Sequence, residues 1–144
     1  MSENIHLLCS QCQGLNRVPE LRLKDDPRCG KCQASLLAGQ VVELTVQTFK
    51  PFISKNDLPV VVNFWASWCG HCCNFDPVFA DAAAQLQSQA RLARVESEEE
   101  PTLIRQFAVK GMPTHIIFRA GREVARQSGA MPLPAFMSWL QEYI

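Results

Sequence analysis

The seven cysteines of the 144-residue chain fall into two groups. Cys9, Cys12, Cys29 and Cys32 stand near the start, and Cys69, Cys72 and Cys73 stand together in mid-chain. In its thiolate form a cysteine serves either as a nucleophile or as a metal ligand. The first group is two Cys-x2-Cys pairs with sixteen residues between them. That is the spacing of a four-thiolate zinc site, in which each short turn aims two sulfurs at one ion. Four cysteines fill every ligand position of a tetrahedral ion, which leaves none for water, so the expected zinc is structural. The competing readings are two disulfides or four free thiols. His6 lies close to Cys9 in sequence but is expected to be a surface residue, since four thiolates suffice.

The second group lies in Trp65-Ala-Ser-Trp-Cys-Gly-His-Cys-Cys73. It follows LPVVVNFWA (58–66), a continuous apolar run of the kind that forms a strand buried on both faces. A helix is expected from Gly70, which puts Cys69 at its N-terminus. There, unpaired amides and the helix dipole stabilise a thiolate. Cys69 is therefore expected to be an exposed nucleophile, and Gly70 to relieve a side-chain clash in the turn. Cys72, one turn in, is expected to attack a mixed disulfide and release the product. Cys73 points about 100° away from Cys72 on the helix and is expected to be a bystander. A second zinc site would need another ligand pair, and this half offers only Cys73, His71 and His115.

The rest of the chain must position these groups. Some 144 residues with 47% hydrophobic content suit one ordinary domain plus a small appendage. Lys+Arg and Asp+Glu are both 14, which gives no electrostatic case for nucleic acid or an anionic membrane. No apolar run approaches a bilayer's thickness. The start, MSENIHLLCSQCQG, has no basic and apolar leader pattern. A reducing cytoplasmic location is the resulting expectation, and there cysteines serve metals or redox chemistry rather than a disulfide framework. Residues 1–39 are polar and turn-rich, and read as a zinc-binding module that a metal must help to fold. Residues 40–144 alternate strand and helix: strands at 41–44, 58–66 and 91–96, two more within 114–129 joined at Ala120-Gly121, and helices at 46–54, 70–89, 101–107 and 132–143. Pro77 is expected to kink the second helix. The order predicts an α/β domain, a mixed sheet with helices on both faces.

WASWCGHC, followed by Pro77, the GMPT of residues 111–114 and Gly129-Ala130, resembles thioredoxin. With the preceding cysteine quartet, the chain is similar to the zinc-containing second type of bacterial thioredoxin. The resemblance implies a thioredoxin fold behind a zinc-ribbon-like module, and a monomer that reduces protein disulfides through Cys69 and Cys72. It also implies recycling by an NADPH-dependent thioredoxin reductase. By the same resemblance, Met112-Pro113 is a cis bond whose Met112 backbone pairs with an extended substrate. Trp68, Gly111, Met112, Pro113, Gly129 and Ala130 then form the docking surface, with Trp65 packed beneath.

Three departures bear on the direction of exchange. The dipeptide between the cysteines is Gly-His rather than the family's Gly-Pro, as in protein disulfide isomerases. A donor at His71 stabilises the Cys69 thiolate and makes the couple more oxidising. The family's buried acid is Asn63, which cannot accept the proton of Cys72, and the neighbouring lysine is Arg94. Asp76 lies four residues after Cys72, on the same helix face, and is a candidate to replace the missing acid. The alternatives to a reductase are an isomerase- or oxidase-like exchange enzyme, or a zinc-dependent, redox-regulated chaperone or binding module.

Overall fold

The structure, a computed structural model, describes residues 3–144. Its central element is the strand the apolar run predicts: β4 (Val60–Trp65), in which every residue but Trp65 is buried. A strand this apolar must be covered on both faces, and it is. Val60, Val62 and Phe64 face a core shared with Phe49, Phe52 and Phe118. Val61 faces the other core, with Phe75, Phe79, Phe136 and Leu140. The first core lies under α1 (Val46–Lys55) and α3 (Pro101–Gln106), and the second under α2 (Gly70–Gln85) and α4 (Leu133–Gln141).

β3 (Val42–Glu43), β5 (Arg91–Glu96), β6 (Thr114–Arg119) and β7 (Arg122–Ser128) complete a mixed sheet in the order β3-β5-β4-β6-β7. β3, β5 and β4 are parallel, β6 is antiparallel to β4, and β7 is antiparallel to β6. This is the thioredoxin fold the resemblance implies. The β6–β7 turn falls at Ala120-Gly121, where both residues take positive φ (52° and 82°), as a tight two-residue hairpin turn requires. Helix α1 opens with a capping box: the Thr45 hydroxyl accepts from the Thr48 amide while the Thr45 amide donates to the Thr48 hydroxyl.

Two local expectations are corrected. Helix α2 ends at Gln85, short of 89, and holds Pro77 in its interior. Pro77 leaves the Cys73 carbonyl without its helical donor and crowds it with its ring. The N-terminal segment, which showed no strand signal, forms a hairpin of β1 (Asn4–Leu8) and β2 (Leu15–Pro19). Its signal is hidden because Leu7 and Leu8 are both buried, on opposite faces of β1. Leu7 packs with Cys9, Cys29, Leu36 and Leu37, and Leu8 enters the core around Phe52. No helix is long and apolar enough to cross a membrane among the described residues.

Candidate active site and metal centre

Cys69 caps α2. Its Sγ accepts the Cys72 backbone N–H at 3.2 Å, so one orphan donor of the helix terminus points at the sulfur. Its thiol also points at the Met112 carbonyl, 3.7 Å away. Those two contacts tuck the sulfur in, and Cys69 is only 5% exposed rather than the open thiol expected from sequence. Gly70 does not relieve a clash: a Cβ there would meet nothing within 4 Å, and its φ is not positive. Cys72 lies inward, 2% exposed, packed with Ala66 and Cys69. Burial pushes its thiol up to about 12, and hydrogen bonding with the Cys69 sulfur adds to the rise. The two sulfurs thus have unlike environments: Cys69 accepts a backbone amide at the helix terminus, and Cys72 is held as a thiol by burial. His71 is exposed and makes no hydrogen bond to either sulfur, and Cys73 is exposed.

A polar row crosses the sheet two residues before the end of β4. Asn63 on β4 is in register with Arg94 on β5 and His115 on β6, and Glu43 on β3 continues the row beyond Arg94. Arg94 binds the Glu43 carboxylate and donates Nη1 to both Asp76 oxygens, at 3.1 and 3.3 Å. Its guanidinium lies 4.6 Å over the Trp65 ring. Asp76 therefore faces a cation, and the structure shows no hydrogen bond between it and Cys72. With Arg94 drawn to two carboxylates, Asn63 is fully buried and neither side-chain heteroatom has a partner among the described residues. Trp65 Nε1 and His115 Nδ1 are likewise buried without partners.

His115 is fully buried against Phe75, with ring centroids 4.4 Å apart. Its Nε2 lies 3.2 Å from the Gly129 carbonyl. A carbonyl can only accept, so Nε2 carries the hydrogen and Nδ1 is a bare lone pair. Burial pushes the imidazole down to about 4, against the opposing effect of the Gly129 bond. Sequence spacing missed His115 as a neighbour of the site. The only signal was a polar residue inside an apolar strand, and its partner across the sheet depends on register.

Of the residues expected to dock substrate, Met112 lies against Cys69, its carbonyl 3.7 Å from the sulfur. Met112-Pro113 is cis. Trp68 is 67% exposed, Gly111 and Ala130 are exposed, and Met112 and Gly129 are half-buried. Gly129 has φ +97° and donates its amide to the Pro113 carbonyl at 2.8 Å, so the two loops are tied together. Backbone at that φ is one that glycine adopts without strain.

In the N-terminal module the four sulfurs of Cys9, Cys12, Cys29 and Cys32 all lie within 4.8 Å of one another. Two of the pairs, Cys9–Cys32 and Cys12–Cys29, are 3.6 Å apart. Sulfurs bound tetrahedrally to one zinc would be about 3.8 Å apart. Two matching turns set this geometry. The Gln13 and Gln33 amides donate to the carbonyls of Cys9 and Cys29, at 3.0 and 2.9 Å, with both glutamines at left-handed φ. The Gln11 and Lys31 amides point at the Cys9 and Cys29 sulfurs, each at 3.4 Å. Amide donors and the Asn16 side chain draw the Cys29 thiol down to about 6, while burial and the three neighbouring sulfurs outweigh an amide donor and push Cys32 up to about 12. A Cβ on Gly14 would come within 3.2 Å of the Cys12 sulfur, so a larger residue there would push on the cradle. The donor set and its spacing fit zinc. His6 is not part of the cluster; its backbone amide and Nδ1 face Asp57 Oδ2.

A mixed five-stranded sheet carrying a dithiol where its central strand turns into a helix is the architecture of a thiol–disulfide oxidoreductase. The family model described as Thioredoxin matches residues 40–142, and one described as Thioredoxin 2, N-terminal, matches residues 8–34. Among similar proteins, Thioredoxin C-3 of Corynebacterium nephridii is 38% identical over 96% of this chain and 94% of its own length. Thioredoxin of Pyropia yezoensis is 35% identical over 72% of this chain and 97% of its own. Thioredoxin 2 of Chlorobaculum tepidum is 32% identical over 75% and 99%. The chain belongs to the thioredoxin family of protein-disulfide reductases, in its thioredoxin 2 type with an N-terminal zinc ribbon, and its active-site pair is Cys69 and Cys72.

Proposed function

We propose that the protein reduces disulfides of other proteins in the cytoplasm, as a monomer, and is recycled by an NADPH-dependent thioredoxin reductase. The observation that carries this reading is the contrast between the sulfurs: Cys69 Sγ accepts an amide, while Cys72 is buried as a thiol. The Cys69 thiolate attacks a substrate sulfur and the substrate's other sulfur leaves as a thiolate. Cys72 then loses its proton and attacks Cys69, releasing the second substrate thiol and closing the Cys69–Cys72 disulfide. Two electrons pass to the substrate, and the reductase restores them from NADPH. Trp68, Gly111, Met112, Pro113, Gly129 and Ala130 dock the substrate, with the Met112 backbone pairing to an extended segment. Cys9, Cys12, Cys29 and Cys32 hold one zinc ion, which folds the module of residues 1–39 against the oxidoreductase domain of residues 40–144. Asp76, paired to Arg94, acts by fixing that guanidinium over Trp65 rather than by taking a proton itself. Insulin-disulfide reduction should vanish in Cys69→Ser with zinc retained. Substrate capture that survives Cys69→Ser and Cys72→Ser together would favour a binding module instead.

One observation favours a less reducing couple. Asn63 places no charge behind two thiols, which lowers the cost of a thiolate and so favours the reduced enzyme. The Gly-His dipeptide adds no contact in that direction, since His71 is exposed and bonds neither sulfur. Thioredoxins and protein disulfide isomerases differ by about 90 mV, a scale taken over from those proteins. A potential in the isomerase range, with no turnover by the reductase, would replace the reductase reading with an isomerase- or oxidase-like one.

A further inference from the structure

The joint between the zinc module and the sheet holds a cation with no carboxylate. Arg91, the first residue of β5, is 6% exposed. Its Nη1 donates to the Leu8 carbonyl at 2.6 Å and to Asn56 Oδ1 at 2.9 Å. Its guanidinium lies 4.8 Å over the Phe52 ring. Asn56, itself 1% exposed, accepts the Leu8 amide at 2.8 Å and donates to the Phe52 carbonyl at 2.7 Å. Every hydrogen-bond acceptor on Arg91 is thus neutral, and no acidic side chain pairs with it among the described residues. A buried charge is ordinarily paired or bound to a counter-charge.

The ribbon lies directly against this cation. Leu8, whose carbonyl Arg91 holds, directly precedes Cys9. One cleft is lined jointly by Arg91 and by Ser10 and Gln11 of the first cysteine turn. Burial works against the Arg91 charge, and Cys9 is the ionisable neighbour that supports it. A zinc ion bound by four thiolates keeps two negative charges in excess. We propose that Arg91 is the buried counter-cation of the zinc tetrathiolate, so that zinc binding in the ribbon and the seating of the ribbon on the oxidoreductase domain are one coupled equilibrium. The inference rests on the reading of the quartet as a zinc site.

The mechanism is electrostatic and reciprocal. Arg91 lowers the cost of gathering four thiolates, and the loaded site lowers the cost of burying Arg91. Coupling of this kind acts equally in both directions. Arg91 holds the backbone just before the first zinc ligand, and groups that support metal ligands from behind typically change affinity by about 10- to 100-fold. A mere hydrogen-bonded clasp would show a different signature, because any side chain that kept the bonds to Leu8 and Asn56 would serve.

Two variants of the full chain separate charge from hydrogen bonding. Arg91→Gln keeps an amide donor and removes the charge, while Arg91→Lys keeps the charge on a different head group. Zinc affinity is read by competition with a chromogenic chelator, with insulin reduction at saturating zinc as a control. The expected result is zinc held about 10- to 100-fold more weakly by Arg91→Gln. Arg91→Lys should stay within about threefold of the unaltered protein, and the control rate should be unchanged in both. Equal weakening in the two variants, or wild-type affinity in Arg91→Gln, overturns the inference. Should Arg91→Gln not fold, Arg91→Lys decides: retained zinc supports the charge requirement, and lost zinc defeats it. An unaltered protein that binds no zinc would instead defeat the zinc reading itself.

Discussion

At the scale of single residues, the site is two sulfurs in unlike surroundings with an uncharged amide behind them. The roles of Cys69 and Cys72 were legible from spacing, since a Cys-x-x-Cys at a strand-to-helix junction forces one sulfur to the helix terminus and the other a turn inside. The setting of Asn63 was legible in part: the family resemblance set Arg94 beside it, as the register does, but His115 comes from a strand 52 residues further along the chain and only sheet register joins it. Restoring a carboxylate should reverse the electrostatic effect of the amide. In Asn63→Asp the buried negative charge opposes the thiolate and disfavours the reduced form. The Cys69/Cys72 potential should move to more negative values by tens of millivolts, about 30 mV corresponding to 1.4 kcal/mol. Equilibration with glutathione reads this directly, and an unchanged or more positive value would remove Asn63 as a determinant. His115 gives a second expectation. Its imidazole is near 4 when folded against about 6.5 when unfolded. The unfolded chain therefore binds more protons between these values. Stability from this group is complete above about 6.5 and is lost as pH falls toward 4, by about 3 kcal/mol in all. Urea unfolding across that window should show the slope, and His115→Leu should flatten it.

At the scale of elements, the domain follows from a few local signals that agree with one another. The apolar run of 58–66 gave β4, the Ala120-Gly121 pair gave the β6–β7 turn, and the amphipathic run of 132–143 gave α4, because in each the side-chain pattern and the turn chemistry point the same way. The β1–β2 hairpin was illegible for a physical reason. Its two leucines face different cores, so no alternation reports a strand until both the metal site and the sheet are in place. The capping box of α1 is a local device whose worth can be isolated. Thr45 is exposed and holds the N-terminus of a helix whose Phe49 and Phe52 are core residues. Thr45→Ala should cost about 1 kcal/mol of unfolding free energy, read as a lower denaturant midpoint with an unchanged m-value. The rate of insulin reduction should not change, since α1 covers the sheet face opposite α2 and the sulfurs.

At the scale of the whole molecule, the ribbon and the dithiol occupy opposite ends of the parallel strands. The ribbon docks where β4 and β5 begin. The His6 carbonyl accepts the Asp57 amide at 2.9 Å, Arg91 holds Leu8, and Gln87, just past α2, donates to the Leu37 carbonyl at 2.8 Å. Cys69 follows the other end of β4. Six residues of strand separate the two ends, roughly 17 Å at about 3.3 Å per residue. A zinc ion in the quartet is then too far to touch the exchanging sulfurs, and it acts on stability instead. Without metal, a short polar ribbon buries too little to hold its own fold. Arg91 and the Phe52 core would then lose the cover that Leu8 and the rest of the ribbon provide. Stripping the metal with a strong chelator should therefore lower the unfolding midpoint of the whole chain and release the hairpin's amides to hydrogen exchange. The potential of Cys69/Cys72 and the rate of insulin reduction below that midpoint should change little. If removing zinc moved the potential by tens of millivolts while the domain stayed folded, the two ends of the sheet would be coupled, and zinc could no longer be assigned a purely structural role.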